Sequence, residues 1–577
     1  MFGLKCAIVV LGFLSLGYGA PSRSTSLSSD YQTKSKCRYL PNDPAWPNQT
    51  TWRQLNQTVG GRLLRGVPLG RPCYEPQLDI TECSQIQDEY LWLSSYETNP
   101  VNVMSPYWLN NSCSPFLGPN GSCTLGNLAS YALNVSNAAD VITGLEFARK
   151  NNIRLTIKNT GHDFLGRSTG AGSLALWMHN LDEITFINYS SPLYTGPSYR
   201  IGAGVGYNNL YPVASADGYR VVGGSCPTVG VTGGFTQGGG HGPLGSAYGL
   251  GADQVLEWEV VTAAGKHISV SPLNEADLYW ALSGGGAGNF AVVLSMTVRA
   301  YVDGPVAGAS FDFVNNGNDT SYWAAVSAWV ETMLVLDTIE GFMTGWGATD
   351  KGLSLIFATL PDATTTEKID TVLSPFFHEL EQLNISVIDS YKSNVHATFA
   401  EHYAFWAPTA YTSNISIGSR LIPRSTVQDK NVALPALINA FREITSGGGQ
   451  ISGVSANFTN GNYTPNAVLP SWRDALFIAT FENPLDENAA WDEIRRNQAQ
   501  LNVWQEQLRN VTPGGGSYMN EVTWDNPYWK EDNYGPNYAA LLAVKEKYDP
   551  GFLFWANAAV GSDVYWKIDG NGALCRV

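Results

Sequence analysis

The sequence has few charged residues and no cluster of basic ones. Charged residues make up 15% of the 577 residues, and 34 Lys and Arg against 50 Asp and Glu give a formal net charge of −16. A nucleic-acid-binding face, or a surface that docks on anionic lipid, needs a concentration of positive charge that occurs nowhere along this chain. We therefore expect neither nucleic acid nor a membrane as a partner.

Long apolar runs are also scarce, and the one present lies at the N-terminus. Lys5 precedes residues 6–16, which are nearly all apolar or small, and small residues follow at 17–20. The run is short for a bilayer span. It predicts a secretory signal peptide over residues 1–20, with a membrane anchor as the alternative. We expect the mature protein to be secreted and extracellular.

Motifs for asparagine-linked glycosylation occur along the whole chain. A single Asn-X-Ser/Thr motif would be coincidental, but this number is typical of a surface that passes through a glycosylating secretory pathway. The sequence therefore predicts N-linked glycans, with some sites unused, among Asn48, Asn56, Asn110, Asn120, Asn134, Asn188, Asn318, Asn384, Asn414, Asn457, Asn462 and Asn510.

The cysteine count becomes odd once the leader is removed. Cys6 lies in the predicted signal peptide, which leaves seven cysteines in an oxidising compartment. Cys226 is far from every other cysteine and lies in a glycine-rich stretch. An unpaired thiol there is either buried and inert or bonded to something other than cysteine. The other six are expected to form disulfides whose pairing the sequence leaves open: Cys37, Cys73, Cys83, Cys113, Cys123 and Cys575.

Residue patterns divide the remaining chain into four regions. Residues 21–120 are rich in Pro, Asn, Ser and Cys and predict a loop-rich, disulfide-tied N-terminal region. Helix and strand patterns alternate over 121–304 and 305–510, and a helical pattern in the segment 511–577 ends before Pro550. This alternation indicates an α+β or α/β architecture. The predicted helices span 138–151, 321–335, 367–383 and 538–548, and the predicted strands span 153–157, 185–187, 199–201, 255–262, 291–298, 353–358, 386–388 and 476–481.

The first segment with a chemical character is the loop of residues 158–168, directly after a predicted strand. Glycines stand beside polar residues in it, so backbone N–H groups could approach an anion. The loop matches neither the Walker A pattern nor the dinucleotide fingerprint. His162 lies inside the loop, where an imidazole could reach a bound ligand. A turn histidine satisfied by backbone is the alternative.

A second loop, residues 223–242, contains nine glycines in twenty residues. So much glycine disfavours a regularly packed helix or strand and favours a backbone that lies against a large flat ligand or phosphates. A flexible linker is the alternative. Val229, Val231 and Phe235 argue against it, because linkers seldom carry spaced apolar anchors. The unpaired Cys226 lies in the same loop.

The two loops together resemble the FAD-binding segments of the vanillyl-alcohol-oxidase superfamily. More narrowly, they resemble the berberine-bridge-enzyme-like oxidases with bicovalent FAD, which include fungal isoamyl alcohol oxidase-like proteins and oligosaccharide oxidases. The resemblance covers about residues 120–300 and 515–560. It implies an α+β, two-domain, PCMH-type fold. A discontinuous FAD-binding domain would comprise 121–304 and the returning segment 511–577, and a substrate domain with an antiparallel sheet and helices would comprise 305–510.

The resemblance also implies how FAD is held. His162 matches the histidine that bonds to the flavin 8α-methyl, and Cys226 matches the cysteine that bonds to C6, which would account for the odd thiol. Asp253 and Val260 match the segment that leads to the adenosine end, whereas Asn537 and Tyr538 match the segment that returns to the flavin. The other implied FAD-binding residues are Lys158, Asn159, Thr160, Gly161, Asp163, Gly166, Ser168, Gly224, Thr228, Val229, Gly230, Gly233, Gly234, Gly238, Gly239 and Gly240. Apart from FAD we expect no metal, since no spacing of His, Cys, Asp and Glu resembles a zinc or calcium site.

Oxidation of a CH–OH group also needs a base for the hydroxyl proton. In many relatives the second tyrosine of a Tyr-X-Asn-Tyr strand has this role, whereas here the residues are Tyr518, Met519, Asn520 and Glu521. A carboxylate beside an apolar flavin face can have a raised pKa and act instead. We predict Glu521 as the base and Tyr518 as a substrate-orienting partner. The alternative is a Glu521 paired with a surface Arg or Lys.

These observations predict a secreted FAD-dependent oxidase. It would transfer hydride from an alcohol or sugar hydroxyl to FAD, which molecular oxygen would reoxidise to give hydrogen peroxide. One alternative is an oxidase that forms a ring or double bond in a secondary metabolite, and another is a non-catalytic secreted flavin- or sugar-binding protein. Side chains that could line a substrate pocket, although such residues more often fill cores, are His396, His402, Tyr403 and Trp406.

Overall fold

A small sheet carries the first glycine loop at the end of one of its strands. The computed structural model describes residues 36–104, 112–387, 389–406, 415–459, 463–484, 486 and 489–577. The sheet has the order β1-β2-β4-β3, with β2, β4 and β3 parallel. Strand β3 ends at Lys158, so the loop 159–168 follows it directly. The strands are β1 Leu63–Arg65, β2 Tyr131–Asn134, β3 Arg154–Lys158 and β4 Ser173–Trp177.

A second sheet is antiparallel and has the order β5-β6-β10-β8-β9. Helix Ala138–Lys150 contributes to a core cluster that includes residues of the first sheet and of β8 and β10, so one helix is shared between the two sheets. Strands β7 and β11 pair with each other. The strands are β5 Ile184–Ser190, β6 Thr195–Gly202, β7 Tyr219–Arg220, β8 Val255–Thr262, β9 His267–Val270, β10 Ala291–Arg299 and β11 Tyr301–Val302.

A third, seven-stranded antiparallel sheet has the order β15-β12-β14-β13-β17-β18-β16. Four helices bury apolar side chains against one face of it, in a core that contains Trp329, Phe376, Phe441 and Trp504. Because successive strand residues point to opposite faces, the other face remains for the site described below. The strands are β12 Val306–Val314, β13 Met343–Ala348, β14 Gly352–Pro361, β15 Lys392–His396, β16 Ile415–Pro423, β17 Gln450–Ala456 and β18 Ala475–Pro484.

The C-terminal segment returns to the first sheet. Phe554 forms a bridge to Leu155 of β3, and the backbone carbonyl of Asn557 accepts a hydrogen bond from Arg167 Nε at 2.9 Å. The short strands β19 Trp566–Ile568 and β20 Leu574–Arg576 pair beside it. A disulfide from Cys575 to Cys37 joins the two ends of the described chain.

Helices connect these sheets. The longer helices span Gln49–Thr58, Ile80–Glu89, Ala138–Lys150, Tyr207–Ala216, Asp319–Leu336, Glu367–Gln382, Phe399–Trp406, Ala433–Ser446, Trp491–Val511 and Tyr538–Tyr548. Shorter α-helices span Ser94–Glu97, Gly245–Tyr248, Ala276–Leu282, Arg424–Gln428, Ser471–Asp474 and Trp529–Asn533. In the described part of the chain, none of these helices has the length and apolar character needed to cross a membrane.

Residues 37–577 form one compact unit. Mixed helix and sheet architecture is confirmed, and the domain boundaries stay a prediction. The predicted signal peptide lies outside the described residues. Cys226 is free, and the six remaining cysteines form Cys37–Cys575, Cys73–Cys83 and Cys113–Cys123.

Two local predictions differ from the structure. The strand predicted over 386–388 is wrong for Ser386 and Val387, because the Val387 carbonyl accepts hydrogen bonds from the backbone N–H groups of Ser390 and Tyr391 in a turn; Ile388 is outside the described residues. The region 21–120 contains two ten-residue helices. Helix Ile80–Glu89 buries none of its residues, so it has no apolar stripe to detect, although Asp79 caps its first turn.

The two kinds of disulfide should contribute differently to stability. Cys37–Cys575 closes a loop with a sequence separation of 538, whereas Cys73–Cys83 closes one of 10. The chain-entropy model gives about 6 kcal/mol for the first and about 3 kcal/mol for the second. We expect the double variant Cys37→Ala/Cys575→Ala to lower the free energy of unfolding more than Cys73→Ala/Cys83→Ala does, as measured by guanidinium unfolding. An equal or reversed order would contradict this.

Candidate active site

The first glycine loop is shaped by its own side chains. Asp163 accepts hydrogen bonds from the backbone N–H of Leu165 at 3.1 Å and from the N–H and hydroxyl of Ser168 at 2.8 and 2.6 Å. Gly161 has a φ of +95°, a conformation that L side chains rarely adopt. This turn directs His162 into a cavity of about 420 Å³.

The second glycine loop approaches the first more closely than side chains would permit. Gly230 forms a bridge with Gly206, and a Cβ placed on Gly230 would overlap the side-chain oxygen of Asn159. Val231 and Phe235 are buried in the core, so the predicted anchors are confirmed. Their segment, Val231–Phe235, is a short irregular turn in which Gly233 departs from helical backbone angles, in agreement with the expectation that glycine disfavours a regular helix here.

His162 and Cys226 both face the cavity and share one neighbour. Thr228 Oγ1 lies 2.7 Å from His162 Nε2 and 3.6 Å from Cys226 Sγ. Burial and the nearby charge of Lys158 lower the pKa of His162 to about 3, so its imidazole is neutral at physiological pH. Burial raises the pKa of the Cys226 thiol, although hydrogen bonds from Thr228 oppose that effect.

Lys158 lies beneath the first loop. Its side chain is fully buried, and Nζ donates a hydrogen bond to the backbone carbonyl of Tyr96 at 2.9 Å. Burial lowers the pKa of Lys158 to about 7, against the opposing charges of Glu97 and Asp163. Burial likewise raises the pKa of Glu97.

The returning C-terminal segment supplies the wall that contains the predicted base. Residues 518–521 form a turn in which Glu521 N–H donates to the Tyr518 carbonyl at 2.9 Å, so the predicted strand is wrong here. Asn520 Nδ2 donates to the Gly234 carbonyl at 2.8 Å and to the Tyr518 hydroxyl at 2.9 Å. His241 Nε2 lies 3.7 Å from a carboxylate oxygen of Glu521. Glu521 therefore faces a histidine in the cavity, whereas the alternative was a surface Arg or Lys.

Tyr518 is a poor candidate for a base. Its side chain is buried, and burial together with the charge of Glu521 raises the pKa of its phenol far above the ordinary value. The hydroxyl therefore stays protonated over the whole physiological range. It can donate a hydrogen bond to a ligand but cannot readily accept a proton.

The third sheet contributes a carboxyl group that the sequence predictions missed. Alternation along β18 sends Phe477 and Phe481 to the helix-covered core and sends Ile478, Thr480 and Glu482 to the cavity. Ser452 Oγ donates to Glu482 at 3.5 Å. Burial, and then the charge of Glu521, raise the pKa of Glu482 to about 7. Extending the predicted strand 476–481 by one residue, with its period of two, would have placed this carboxyl beside Thr480.

Several predicted FAD-binding residues lie outside the cavity wall. Asp253 binds Arg473 and Asn466, Val260 is in the core of the second sheet, and the Tyr538 hydroxyl donates to Asp563. Asn537 donates to the backbone carbonyls of Ala467 and Val468. Lys158, Gly166, Thr228, Gly238, Gly239 and Gly240 also lie behind the wall, and the remaining predicted residues line it: Asn159, Thr160, Gly161, His162, Asp163, Ser168, Gly224, Cys226, Val229, Gly230, Gly233, Gly234, Tyr518 and Glu521. The four residues considered for a substrate pocket, His396, His402, Tyr403 and Trp406, do not line this cavity. His402 Nε2 instead forms a hydrogen bond of 2.9 Å with the hydroxyl of Thr359.

The cavity has the features that a flavin needs. Its volume lies within the range of about 300–1,000 Å³ that is usual for small-molecule and cofactor sites. Asn159 Oδ1, Thr232 Oγ1 and His241 Nδ1 line it as buried polar atoms with no partner among the described residues. Gly288 leaves open backbone along the wall, and at Gly234 the nearest atom to a Cβ would be the Asn520 side-chain oxygen at 3.6 Å. The edge of an isoalloxazine ring carries N–H and C=O groups. Unpaired polar side chains beside open glycine backbone can bind such an edge.

Comparison with known proteins agrees with this site. The family model described as FAD binding domain matches residues 129–271, and the model described as berberine and berberine like matches residues 517–561. These segments contain both glycine loops and the turn that carries Glu521. The fold and site thus define an FAD-dependent oxidoreductase.

Relatives of nearly the same length show to which family of FAD-dependent oxidoreductases the chain belongs. The chain is 39% identical to the VAO-type flavoprotein oxidase VAO615 of Thermothelomyces thermophilus, over 98% of this chain and 99% of the relative. It is 40% identical to the bifunctional decalin synthase calF of Penicillium decumbens, over 99% and 100%. The protein belongs to this family of VAO-type, berberine-like FAD-linked oxidoreductases, which confirms the resemblance and makes it an enzyme.

Solved structures share the fold. The crystal structure of MtVAO615 from Myceliophthora thermophila C1 superposes with a TM-score of 0.89 at 39% identity, covering 94% of this chain and 100% of the other. The glucooligosaccharide oxidase of Acremonium strictum, with its 6-S-cysteinyl, 8α-N1-histidyl FAD, has a TM-score of 0.62 at 17% identity, covering 76% and 92%. The α+β fold with a PCMH-type FAD-binding domain is thereby confirmed.

The raised pKa of Glu482 predicts a pH-dependent loss of stability. The pKa of Glu482 is about 7 in the folded protein and lower in the unfolded chain. Between these two pKa values the unfolded chain loses its proton first, so the folded state becomes less stable as the pH rises. We expect Glu482→Gln to match wild type below about pH 4, where the glutamate is protonated in both states, and to be more stable at pH 8. Between these values the difference should grow by at most about 1.4 kcal/mol per pH unit. Thermal unfolding at several pH values measures this. The control Glu340→Gln, at an exposed glutamate in a turn, should show a much smaller pH dependence because solvent surrounds it in both states. A constant difference for Glu482→Gln would refute the assignment.

Proposed function

We propose that this protein is a secreted oxidase that converts an alcohol CH–OH group to a carbonyl and yields hydrogen peroxide. FAD, when bound, accepts the hydride and passes the electrons to molecular oxygen. The observation that carries the proposal is the position of Glu521. This carboxylate shares one cavity with both glycine loops and faces His241 at 3.7 Å.

Glu521 is the base in this proposal and takes the hydroxyl proton of the substrate. His241 Nε2 lies 3.7 Å from this carboxylate, which is beyond direct hydrogen-bond distance. The proton therefore leaves Glu521 for solvent, which reaches its 27% exposed side chain. Tyr518 accepts a hydrogen bond from Asn520, which leaves its own O–H free to donate to the substrate oxygen. This arrangement separates the two roles, since the phenol orients the substrate and the carboxylate takes the proton.

The substrate-facing wall supports an apolar alcohol better than an extended sugar. The exposed face of the third sheet contributes mainly aliphatic and aromatic side chains to the cavity, with Ser452, Thr480 and Glu482 as its polar members. Sugars are usually held by several side-chain hydrogen bonds, which this wall offers at few positions. The apolar wall residues are Trp346, Ile356, Phe357, Ile415, Ile417, Val454 and Ile478.

A second candidate reaction is the formation of a ring or double bond in a secondary metabolite. The relative described as a bifunctional decalin synthase, at 40% identity over nearly the whole chain, favours it. It would use the same base, because removal of a C–H hydride beside an acidic hydrogen also needs a proton acceptor. Peroxide yield and product mass across alcohols, glucose and chitin oligomers, and polyketide-type substrates would separate the two.

Secretion and glycosylation belong to the same proposal. Of the sequon asparagines within the described chain, those with exposed side chains are Asn48, Asn120, Asn188, Asn318, Asn384 and Asn510. Exposure is what a glycan requires. Asn110, Asn414 and Asn462 lie outside the described residues. Loss of mass on treatment with an endoglycosidase, together with recovery from the culture medium, would support both.

Bicovalent attachment through His162 and Cys226 is the finer part of the proposal. The oligosaccharide oxidase neighbour and the common orientation of the two side chains toward the cavity support it. We expect acid-precipitated wild type, His162→Ala and Cys226→Ala each to retain flavin, because either bond alone holds it. The double variant should release all of it. Fluorescence on a denaturing gel and peptide mass spectrometry measure the flavin that stays bound to the protein. Complete release of flavin from the acid-precipitated wild type would contradict the proposal.

The role of Glu521 is tested by the rate of flavin reduction. We expect Glu521→Gln to slow anaerobic flavin bleaching by about 10²- to 10⁴-fold with the best alcohol of a substrate panel, because the amide cannot accept the proton. Tyr518→Phe should mainly raise KM, since only an orienting hydrogen bond is lost. An unslowed Glu521→Gln would exclude this residue as the base.

A further inference from the structure

Thr228 occupies a position between the two groups that are proposed to bond to FAD. Its hydroxyl oxygen is 2.7 Å from His162 Nε2 and 3.6 Å from Cys226 Sγ. The two partners line the cavity, and Thr228 is not among its lining residues. One hydroxyl therefore contacts both reactive side chains.

The contact with His162 decides which ring nitrogen is available. A neutral imidazole has one N–H and one lone pair, and His162 is neutral because burial and Lys158 keep its pKa low. If Nε2 carries the hydrogen and donates it to Thr228 Oγ1, the lone pair is on Nδ1. The opposite arrangement would place the lone pair on Nε2 and turn it toward Thr228, away from a ligand.

The same direction of hydrogen bonding favours the thiolate form of Cys226. A threonine hydroxyl that accepts from His162 Nε2 still has its own hydrogen to donate. The sulfur of Cys226 is within reach of that hydrogen, and donation favours the thiolate, which is the nucleophilic form. A single orientation of the Thr228 hydroxyl thus leaves the lone pair of His162 on Nδ1 and favours the thiolate of Cys226.

We propose that Thr228 is the positioning residue for flavin attachment: it accepts the Nε2 hydrogen of His162, which leaves Nδ1 as the attacking atom, and it donates its own hydrogen to Cys226 Sγ. This inference rests on the proposed bicovalent linkage. Each attachment replaces a flavin C–H and an N–H or S–H by one C–N or C–S bond. The two protons go to solvent, and the two electrons go to dioxygen, which becomes hydrogen peroxide.

The test compares three variants of the full chain with wild type. Thr228→Val keeps the shape and removes the hydroxyl, and Thr228→Ser restores it. Thr236→Val is the matched control, because it removes a buried hydroxyl of the same segment that instead bonds the Val231 carbonyl at 2.6 Å. Total flavin in the native protein and the melting temperature report folding and FAD binding independently of attachment.

Acid-stable flavin is followed in samples taken after induction of expression, and peptide mass spectrometry assigns it to His162 or Cys226. We expect Thr228→Val to bind FAD but to accumulate both linkages about ten-fold more slowly, the equivalent of one lost hydrogen bond. Thr228→Ser and Thr236→Val should keep the wild-type rate. A wild-type rate at His162 in Thr228→Val overturns the inference, whereas a wild type without two linked peptides overturns the proposed bicovalent attachment.

Discussion

The close approach of the two glycine loops is the contact on which the site depends. Gly230 lies so near Asn159 that any side chain there would occupy the position of the Asn159 oxygen. Asn159 is held in turn by a hydrogen bond from its Nδ2 to the Ala203 carbonyl. Because the two loops come from different sheets, this contact sets the spacing between His162 and Cys226. A larger residue at 230 would push the loops apart and separate the groups that Thr228 now joins.

Burial controls protonation throughout the cavity. It keeps the His162 imidazole neutral, keeps the Tyr518 phenol protonated, and raises the pKa of Glu482 to about 7. Glu521 is the carboxylate with a histidine beside it, and its side chain is 27% exposed, so it keeps contact with water. The cavity therefore holds His162 and Cys226 on the wall of the glycine loops and Glu521 on the wall of the C-terminal segment.

The C-terminal segment completes the site because a buried ion pair and a buried lysine tie it to the rest of the molecule. Arg420 of β16 binds Asp532 at 2.9 Å with both side chains almost fully buried, and Lys545 binds Asp549 at 2.7 Å. Lys545 also donates to the carbonyls of Asn289 and Phe554. Leaving one such charge unpaired is costly in a buried setting. With the C-terminal segment anchored in this way, the hydrogen bond from Asn520 Nδ2 to the Gly234 carbonyl joins the turn 518–521 to the second glycine loop.

The sequence by itself determined the elements with strong local signals. Helix Tyr538–Tyr548 and strand β8 were predicted at their observed bounds, the odd cysteine was identified as Cys226, and the paired loops indicated FAD. The helix and the strand follow from the pattern of neighbouring residues, the odd cysteine follows from the cysteine count, and FAD follows from the resemblance of the two loops to a known family. The Cys37–Cys575 disulfide and the contact of the turn 518–521 with Gly234 join segments hundreds of residues apart, and the cavity position of Glu482 depends on which face of the third sheet the helices cover. Only the tertiary structure decided those, because the direction in which a side chain points is set by the sheet and loops that pack around it.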